Sequence, residues 1–370
     1  MNNRAAAVTV VAAATNVVVI GWILMRGSSP IGAKRVAQAA IAGTALVGAQ
    51  TIGGYIAVGN PFLLITILWA YLAIALPCVG FLLLVRRTTR ERTTRLARVL
   101  ASIALATVPI TLYASFVEPY RLVTERADVA IAPPRAPSRP ITVAVLADIQ
   151  CVEVTAREHE AVRRAMDAKP DLVLLPGDFV QVGFHRLHEI APAFRELLAP
   201  LDATLGVYCV QGDTDTRRNI EMLIEGTRVR LLDDQVITLE RDGLRITLGG
   251  IGLDFDSVSA RAALRDIESR PGDDDLRIVT AHRPDVVYGL SPNSRVDLVV
   301  VGHTHGGQVA FPFFGPPIIS SEVPRAVGWG GLHDLQGRRI YVSRGIGWEH
   351  GSAPRLRFLS PPEVSILTLR

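Results

Sequence analysis

Val296-Asp-Leu-Val-Val-Val-Gly302-His303-Thr304-His305-Gly306-Gly307 is a short β-branched run that stops on two histidines. It is too short for a core helix and does not alternate apolar with polar residues, so it reads as an interior strand covered on both faces. Two histidines spaced two apart can both be aimed inward only from a turning loop. Gly302, Gly306 and Gly307 permit that turn. The same ending recurs upstream. Ile141-Thr-Val-Ala-Val-Leu-Ala stops at Asp148, Asp171-Leu-Val-Leu-Leu-Pro-Gly at Asp178, Gly206-Val-Tyr-Cys-Val-Gln-Gly at Asp213, and Arg277-Ile-Val-Thr-Ala at His282. Five predicted strands thus deliver a carboxylate or an imidazole at their carboxyl ends, the edge at which open α/β sheets bind ligands. One such Asp reads as a helix cap. Five together predict a shared pocket.

Oxygen and imidazole donors without thiolates suit Mn, Fe, Zn or Co. The candidates exceed the three or four protein ligands that one catalytic metal takes, so two divalent ions sharing a ligand is the economical reading. Such a pair serves hydrolytic phosphoryl chemistry by activating water and neutralising phosphate oxygens. The three cysteines, Cys78, Cys151 and Cys209, make neither a disulfide framework nor a thiolate site.

The N-terminal third is of another character. Apolar stretches at roughly 5–25, 36–58, 62–85 and 96–116 are each long enough to cross a bilayer of about 30 Å. Gln38, Thr44 and Gln50 dilute the second, whose Ala39/Gly43 and Gly53/Ala57 spacings suit close helix packing. The first lacks a small-residue cleavage site and reads as an uncleaved anchor. Arg26, Lys34 and Arg35 follow it, and Arg86, Arg87, Arg90, Arg92, Arg95 and Arg98 follow the third. Loops rich in basic residues stay cytoplasmic, so both termini are expected outside, with the C-terminal domain extracytoplasmic. Charge divides the same way. Residues 1–130 hold 12 basic and 4 acidic side chains, whereas residues 131–370 hold 27 and 31. The soluble half is therefore acidic, which excludes nucleic acid as a partner. The spans contain no Asp or Glu to couple transport. The proline-rich segment 131–140 reads as a connector.

The strand-end residues resemble the calcineurin-like metallophosphoesterase family, in particular a membrane-anchored bacterial branch. That family's blocks Asp-x-His, Gly-Asp, Gly-Asn-His-Asp/Glu, a lone His and Gly-His-x-His are matched in order. Here they are Asp148-Ile-Gln150, Gly177-Asp178, Gly212-Asp213-Thr214-Asp215, His282 and Gly302-His303-Thr-His305. The resemblance implies a two-sheet α/β sandwich flanked by helices over 141–370; the apolar stretches and the proline-rich segment predict, ahead of it, a transmembrane bundle of four helices in 1–117 and a linker and possible first strand at 118–140. The resemblance also implies one metal on Asp148, Gln150, Asp178 and His305, and another on Asp178, Asp213, His282 and His303, with Asp178 bridging. Asp178, Asp213 and His303 carry the expected chemistry.

Three positions depart from the pattern. Gln150 replaces a histidine ligand. Asp213 replaces a neutral asparagine, adding a negative charge that weakens the pull on a phosphate anion. Thr214 replaces a histidine that serves the leaving group, a role worth about 10² to 10⁴ in rate. With Thr214, Arg217 and Arg344 are the candidate substrate-binding residues. The expectation is hydrolysis of a phosphoester or phosphoanhydride by an activated water held on two divalent ions (Mn, Zn or Fe). The substrate is a phosphorylated small molecule or lipid head group at the bilayer. The rival is a catalytically impaired membrane protein that binds metal or phospholipid as a sensor or scaffold.

Overall fold

The N-terminal residues form long helices because they are apolar over many turns with few breakers. A computed structural model describes residues 3–26, 33–58, 61–85, 91–272, 274–350 and 353–370. It divides the chain into two compact units, Met1–Val117 with Glu349–Arg355, and Glu118–Trp348 with Leu356–Arg370.

In the first unit helices run over Asn3–Met25, Ala33–Val58 and Glu91–Phe116. A fourth rod runs from Pro61 to Val85 and widens into a π-type turn at Tyr71–Ala75. Small residues set two close approaches. A Cβ on Gly43 would lie 2.8 Å from Ile20, and one on Gly80 would lie 2.8 Å from the Ala104 Cβ. Gly53, expected to pack in the same way as Gly43, has open space around it. Of the expected four-span bundle, two candidate spans are found among the described residues, Ile65–Leu84 and Arg98–Tyr120, which are long and apolar enough to cross a membrane; shorter apolar segments lie at Val11–Leu24 and Ile41–Gln50. Asn16 is buried and donates to Gln50 at 2.7 Å, a hydrogen bond that ties the two helices together. Arg86, Arg87 and Arg90 lie outside the described residues.

The second unit is a sandwich of two six-stranded sheets. Its strands are β1 (Val123–Val129), β2 (Ile141–Val145), β3 (Leu172–Leu175), β4 (Val207–Cys209), β5 (Val229–Leu231), β6 (Gln235–Arg241), β7 (Leu244–Gly250), β8 (Leu276–Thr280), β9 (Leu298–Val301), β10 (Gly331–Leu335), β11 (Arg338–Val342) and β12 (Glu363–Leu369). One sheet has the order β1-β12-β2-β3-β4-β5 and the other β10-β11-β9-β8-β7-β6. β2, β3, β4 and β5 are parallel, as are β7, β8, β9 and β11.

The lack of alternation in the key strands now has its cause. Val143, Val145, Leu172 and Leu174 pack against Ile278, Leu298 and Val300 between the sheets. Their sequence neighbours Ala144, Leu146, Val173 and Leu175 face outward, beneath helices Ala156–Asp167 and Phe184–Leu198. Helix Val258–Ser269 covers the other sheet through Leu264 and Ile267. Both faces are dry, so polar residues are confined to the strand ends. The helices begin where their caps are written. Thr155 and Glu158 form a reciprocal capping box, and Ser257 accepts from the Ala260 N–H at 3.0 Å.

Candidate metal centre

β2, β3 and β4 of one sheet and β8 and β9 of the other end at the same edge, and the five predicted residues leave them there. The chain turns sharply as it does so. Asp148, Gln150, Asp178, His303 and His305 all have positive φ, an uncommon conformation for residues other than glycine, and here it is concentrated at one place. Three glycines, Gly177, Gly212 and Gly302, let the loops close up. A Cβ on Gly177 would sit 2.6 Å from the Gly212 Cα, and one on Gly302 would sit 2.4 Å from the Asp148 Oδ2. The side chains themselves fill the space that a larger residue would take.

Two groups of donor atoms result, each with its atoms within 4.8 Å of one another: Asp213, His282 and His303, and Asp148, Asp178 and His305. The imidazoles are oriented from behind. His282 Nδ1 lies 2.7 Å from the Pro176 carbonyl and His303 Nε2 lies 2.6 Å from the Ser320 carbonyl. A carbonyl oxygen only accepts, so those nitrogens carry the protons. His282 Nε2 and His303 Nδ1 are thereby left facing each other at 3.2 Å. Asp213 Oδ2 lies 3.2 Å from the first and 2.7 Å from the second. Two imidazole nitrogens and a carboxylate converging on one point call for positive charge between them, supplied by protons or by a cation that displaces them. The donor set fits a divalent ion.

Asp178 joins the two groups. Its Oδ2 is 3.6 Å from His282 Nε2, and its Oδ1 accepts the Thr214 N–H at 2.8 Å and hydroxyl at 3.1 Å. Asp148, wholly buried, accepts the His303 N–H at 3.0 and 3.1 Å. Arg357, also wholly buried, donates to the His305 carbonyl at 3.1 Å and lies 3.2 Å from its Nδ1.

The electrostatics are those of a cation trap. Burial pushes Asp148 up to about 7. Burial alone would lower His282, but Asp178, the hydrogen bond to Asp213 and the Asp148 charge outweigh it and lift the imidazole to about 10. Burial also opposes ionisation of Asp213, yet hydrogen bonds from His282, His303 and Arg283 hold it well below the usual carboxylate range. Surplus negative charge retains protons that bound cations would displace.

The profile of the calcineurin-like phosphoesterase family matches residues 141–307, which contain every residue of this cluster. Phosphodiesterase YaeI of Escherichia coli is 30% identical over 216 residues, 57% of this chain and 74% of YaeI. The uncharacterized metallophosphoesterase YkuE of Bacillus subtilis is 30% identical over 211 residues, 55% of this chain and 69% of YkuE. This chain belongs to the calcineurin-like metallophosphoesterase family. With that family it is a hydrolase.

Several metallophosphoesterase residues sit differently from expectation. Gln150 is buried beside the Asp178 loop, its amide nitrogen 3.3 Å from Gln181 Oε1. Thr214 donates to Asp178 through both its N–H and its hydroxyl. Arg217, expected to bind substrate, pairs with Glu221 at 3.1 Å and Asp233 at 2.8 Å. Arg344, of which the same was expected, is also paired. It pairs with the buried Glu363 at 2.6 Å and with Glu125 at 2.9 Å, and so braces β12 against β1.

Two residues of the site were missed. Asp215 is buried and accepts the N–H groups of Asp178 at 2.7 Å, Phe179 at 3.1 Å and Gly212 at 3.1 Å, tying two ligand loops together. Arg283 forks onto Asp213, with Nη2 on Oδ1 and Nε 3.3 Å from Oδ2. It restores the charge that Asp213 removes from the centre, relative to a neutral ligand.

Proposed function

We propose that the chain is a membrane-tethered, two-metal phosphodiesterase acting on a phosphoester of a lipid or another bilayer-linked molecule. One observation carries the chemistry: His282 Nε2, His303 Nδ1 and Asp213 Oδ2 aim at a common point, beside a second donor group reached through Asp178. Asp148, Asp178 and His305, assisted by Gln150, would hold one ion; Asp178, Asp213, His282 and His303 would hold the other. A pair of Mn, Zn or Fe ions there supplies an activated water and neutralises phosphate oxygens. The protein's own residues do the positioning. The Pro176 and Ser320 carbonyls fix the imidazoles, and Thr214 fixes Asp178. The diester preference is taken from the relative named a phosphodiesterase.

The test is direct. Full-length protein in maltoside detergent, stripped by chelator, is expected to recover turnover of bis(p-nitrophenyl) phosphate on addition of Mn, Zn or Fe. Stoichiometric metal uptake without turnover of diester, monoester or pyrophosphate would refute the enzymatic reading.

The bilayer reading rests on the apolar helices Ile65–Leu84 and Arg98–Tyr120, the second of which ends three residues before β1. An exposed loop supports it as well. Phe311, Phe313, Phe314 and Ile318 are all exposed, and the loop they form adjoins Ser320 and Gly307 of the histidine segment. Exposed aromatic residues of this kind suit a membrane interface. The arginine-rich stretch between the two helices favours a cytoplasmic loop, with the catalytic unit outside. In osmotically opened cells, added protease is then expected to cut the catalytic unit. Full protection while a periplasmic control is degraded would reverse the orientation.

A further inference from the structure

We propose that Arg283 is the anchor for the substrate's phosphate, and that the cavity it lines receives an organic group that is neutral or cationic. This deepens the phosphoesterase reading above and rests on it. Arg283 follows His282 directly, and its guanidinium grips both oxygens of Asp213. It is thus one carboxylate removed from the donors of the metal centre. A fork of this kind matches phosphate as well as it matches carboxylate. The side chain is also 44% exposed, so an incoming phosphate can reach it beside the Asp213 carboxylate that it holds at the centre.

Other arginines near the strand ends are committed elsewhere. Arg217 is held by Glu221 and Asp233, Arg344 by Glu363 and Glu125, and Arg357 is wholly buried. Arg218 stacks over Phe184 at 5.9 Å. Among the described residues, Arg283 combines contact with a candidate ligand and access to solvent.

That access opens into a cavity of about 630 Å³, lined by Arg283 and Ser320 and walled by Asp254, Asp256, Asp285 and Glu322. The volume is that of a small-molecule pocket. Two of its lining residues touch the centre, Arg283 through Asp213 and Ser320 through His303. Four carboxylates surround one guanidinium that is already paired. Asp254 accepts the Asp256 N–H at 3.0 Å and Asp285 accepts the Glu322 N–H at 2.7 Å, bonds that fix these walls without neutralising them. Among the described residues Asp256 makes an ion pair, with Arg261 at 3.2 Å, and the Asp285 charge acts on Arg283 itself. A phosphate is therefore welcome at Arg283, whereas a second anionic group beyond it meets repulsion. The substrate class is a phosphate ester of an uncharged or amine-bearing alcohol; polyphosphates and phosphorylated carboxylates are disfavoured.

The experiment is calorimetric titration of the full-length, Mn-loaded protein in maltoside with inorganic phosphate, phosphocholine and 3-phosphoglycerate, with metal content measured alongside. Arg283→Gln is expected to weaken phosphate binding by about tenfold or more while both metals are retained. Asp213→Asn added to Arg283→Gln is expected to restore charge balance without restoring phosphate affinity. Arg283→Lys, which keeps charge without the fork, should fall between wild type and Gln, and it decides the matter if the Gln variant does not fold. Wild type should bind phosphocholine at least about tenfold more tightly than 3-phosphoglycerate. Phosphate affinity within twofold of wild type in the Arg283 variants, or equal affinity for the two esters, overturns the proposal. Loss of this proposal alone would leave metal-dependent turnover intact; failure of the phosphoesterase reading would remove turnover from wild type itself.

Discussion

Asp178→Asn is expected to empty the centre of both cations and to lower kcat/KM for a diester by more than about 10³-fold. Asp178 is the residue through which the two donor groups meet: its Oδ2 lies 3.6 Å from His282 Nε2, and Thr214 holds its Oδ1 from the other side. Asparagine preserves the volume and can still accept from Thr214. It presents an NH₂ group where a cation would sit and deletes one of the three carboxylates, Asp148, Asp178 and Asp213, that would offset the charge of bound metals. Two-metal electrostatics are worth several kcal/mol to a phosphoryl transition state, and about 4 kcal/mol corresponds to the stated factor. Elemental analysis and bis(p-nitrophenyl) phosphate turnover read the two consequences separately. A variant that keeps two metals and stays within tenfold of the wild-type rate would remove Asp178 from the bridging position. Wild-type protein that holds two metals and turns over nothing would instead favour the sensor reading.

The cluster was legible because its residues terminate strands that are buried on both faces. Such strands must be continuously apolar, so the first polar residue after each one marks a sheet edge: Asp148, Asp178, Asp213, His282 and His303. What local pattern could not show was pairing across long separations. β1 lies parallel to β12 with Val123 opposite Glu363, and nothing near either residue specifies the other. Arg283 was hidden for the same reason. Beside Pro284 it reads as a surface arginine at the start of a helical turn, and its partner Asp213 is 70 residues away. A signal was nonetheless present. An aspartate where the family carries asparagine leaves a charge to be balanced, and an arginine adjacent to another strand-end ligand is the natural candidate. Within the first two helices, Asn16 and Gln50 form a polar pair that is satisfied inside the protein, a contact 34 residues apart that local pattern does not announce.

Asp215→Ala is expected to cost about 3–5 kcal/mol of stability, more than a change at any exposed ligand would. The Asp215 carboxylate lies in the interior and takes the N–H groups of Asp178, Phe179 and Gly212. Each buried donor left unmet costs about 1–3 kcal/mol, and neighbouring losses add incompletely. For a domain of this size that range lowers the melting temperature by roughly 6–20 °C. Asp215→Asn should do less damage, because its single carbonyl oxygen still accepts from one or two of the three donors. The pair of variants also separates scaffold from chemistry. Asp215 touches neither imidazole of the centre, so its variants act only by loosening the Asp178 and Asp213 loops. The Asn variant is therefore expected to regain turnover when Mn is raised, as cation binding re-imposes the loop positions that the carboxylate formerly held. Thermal melts and Mn titrations check both points. If Asp215→Asn melts like wild type and yet stays inactive at saturating Mn, Asp215 has a direct part in the reaction and the scaffold role assigned to it is wrong.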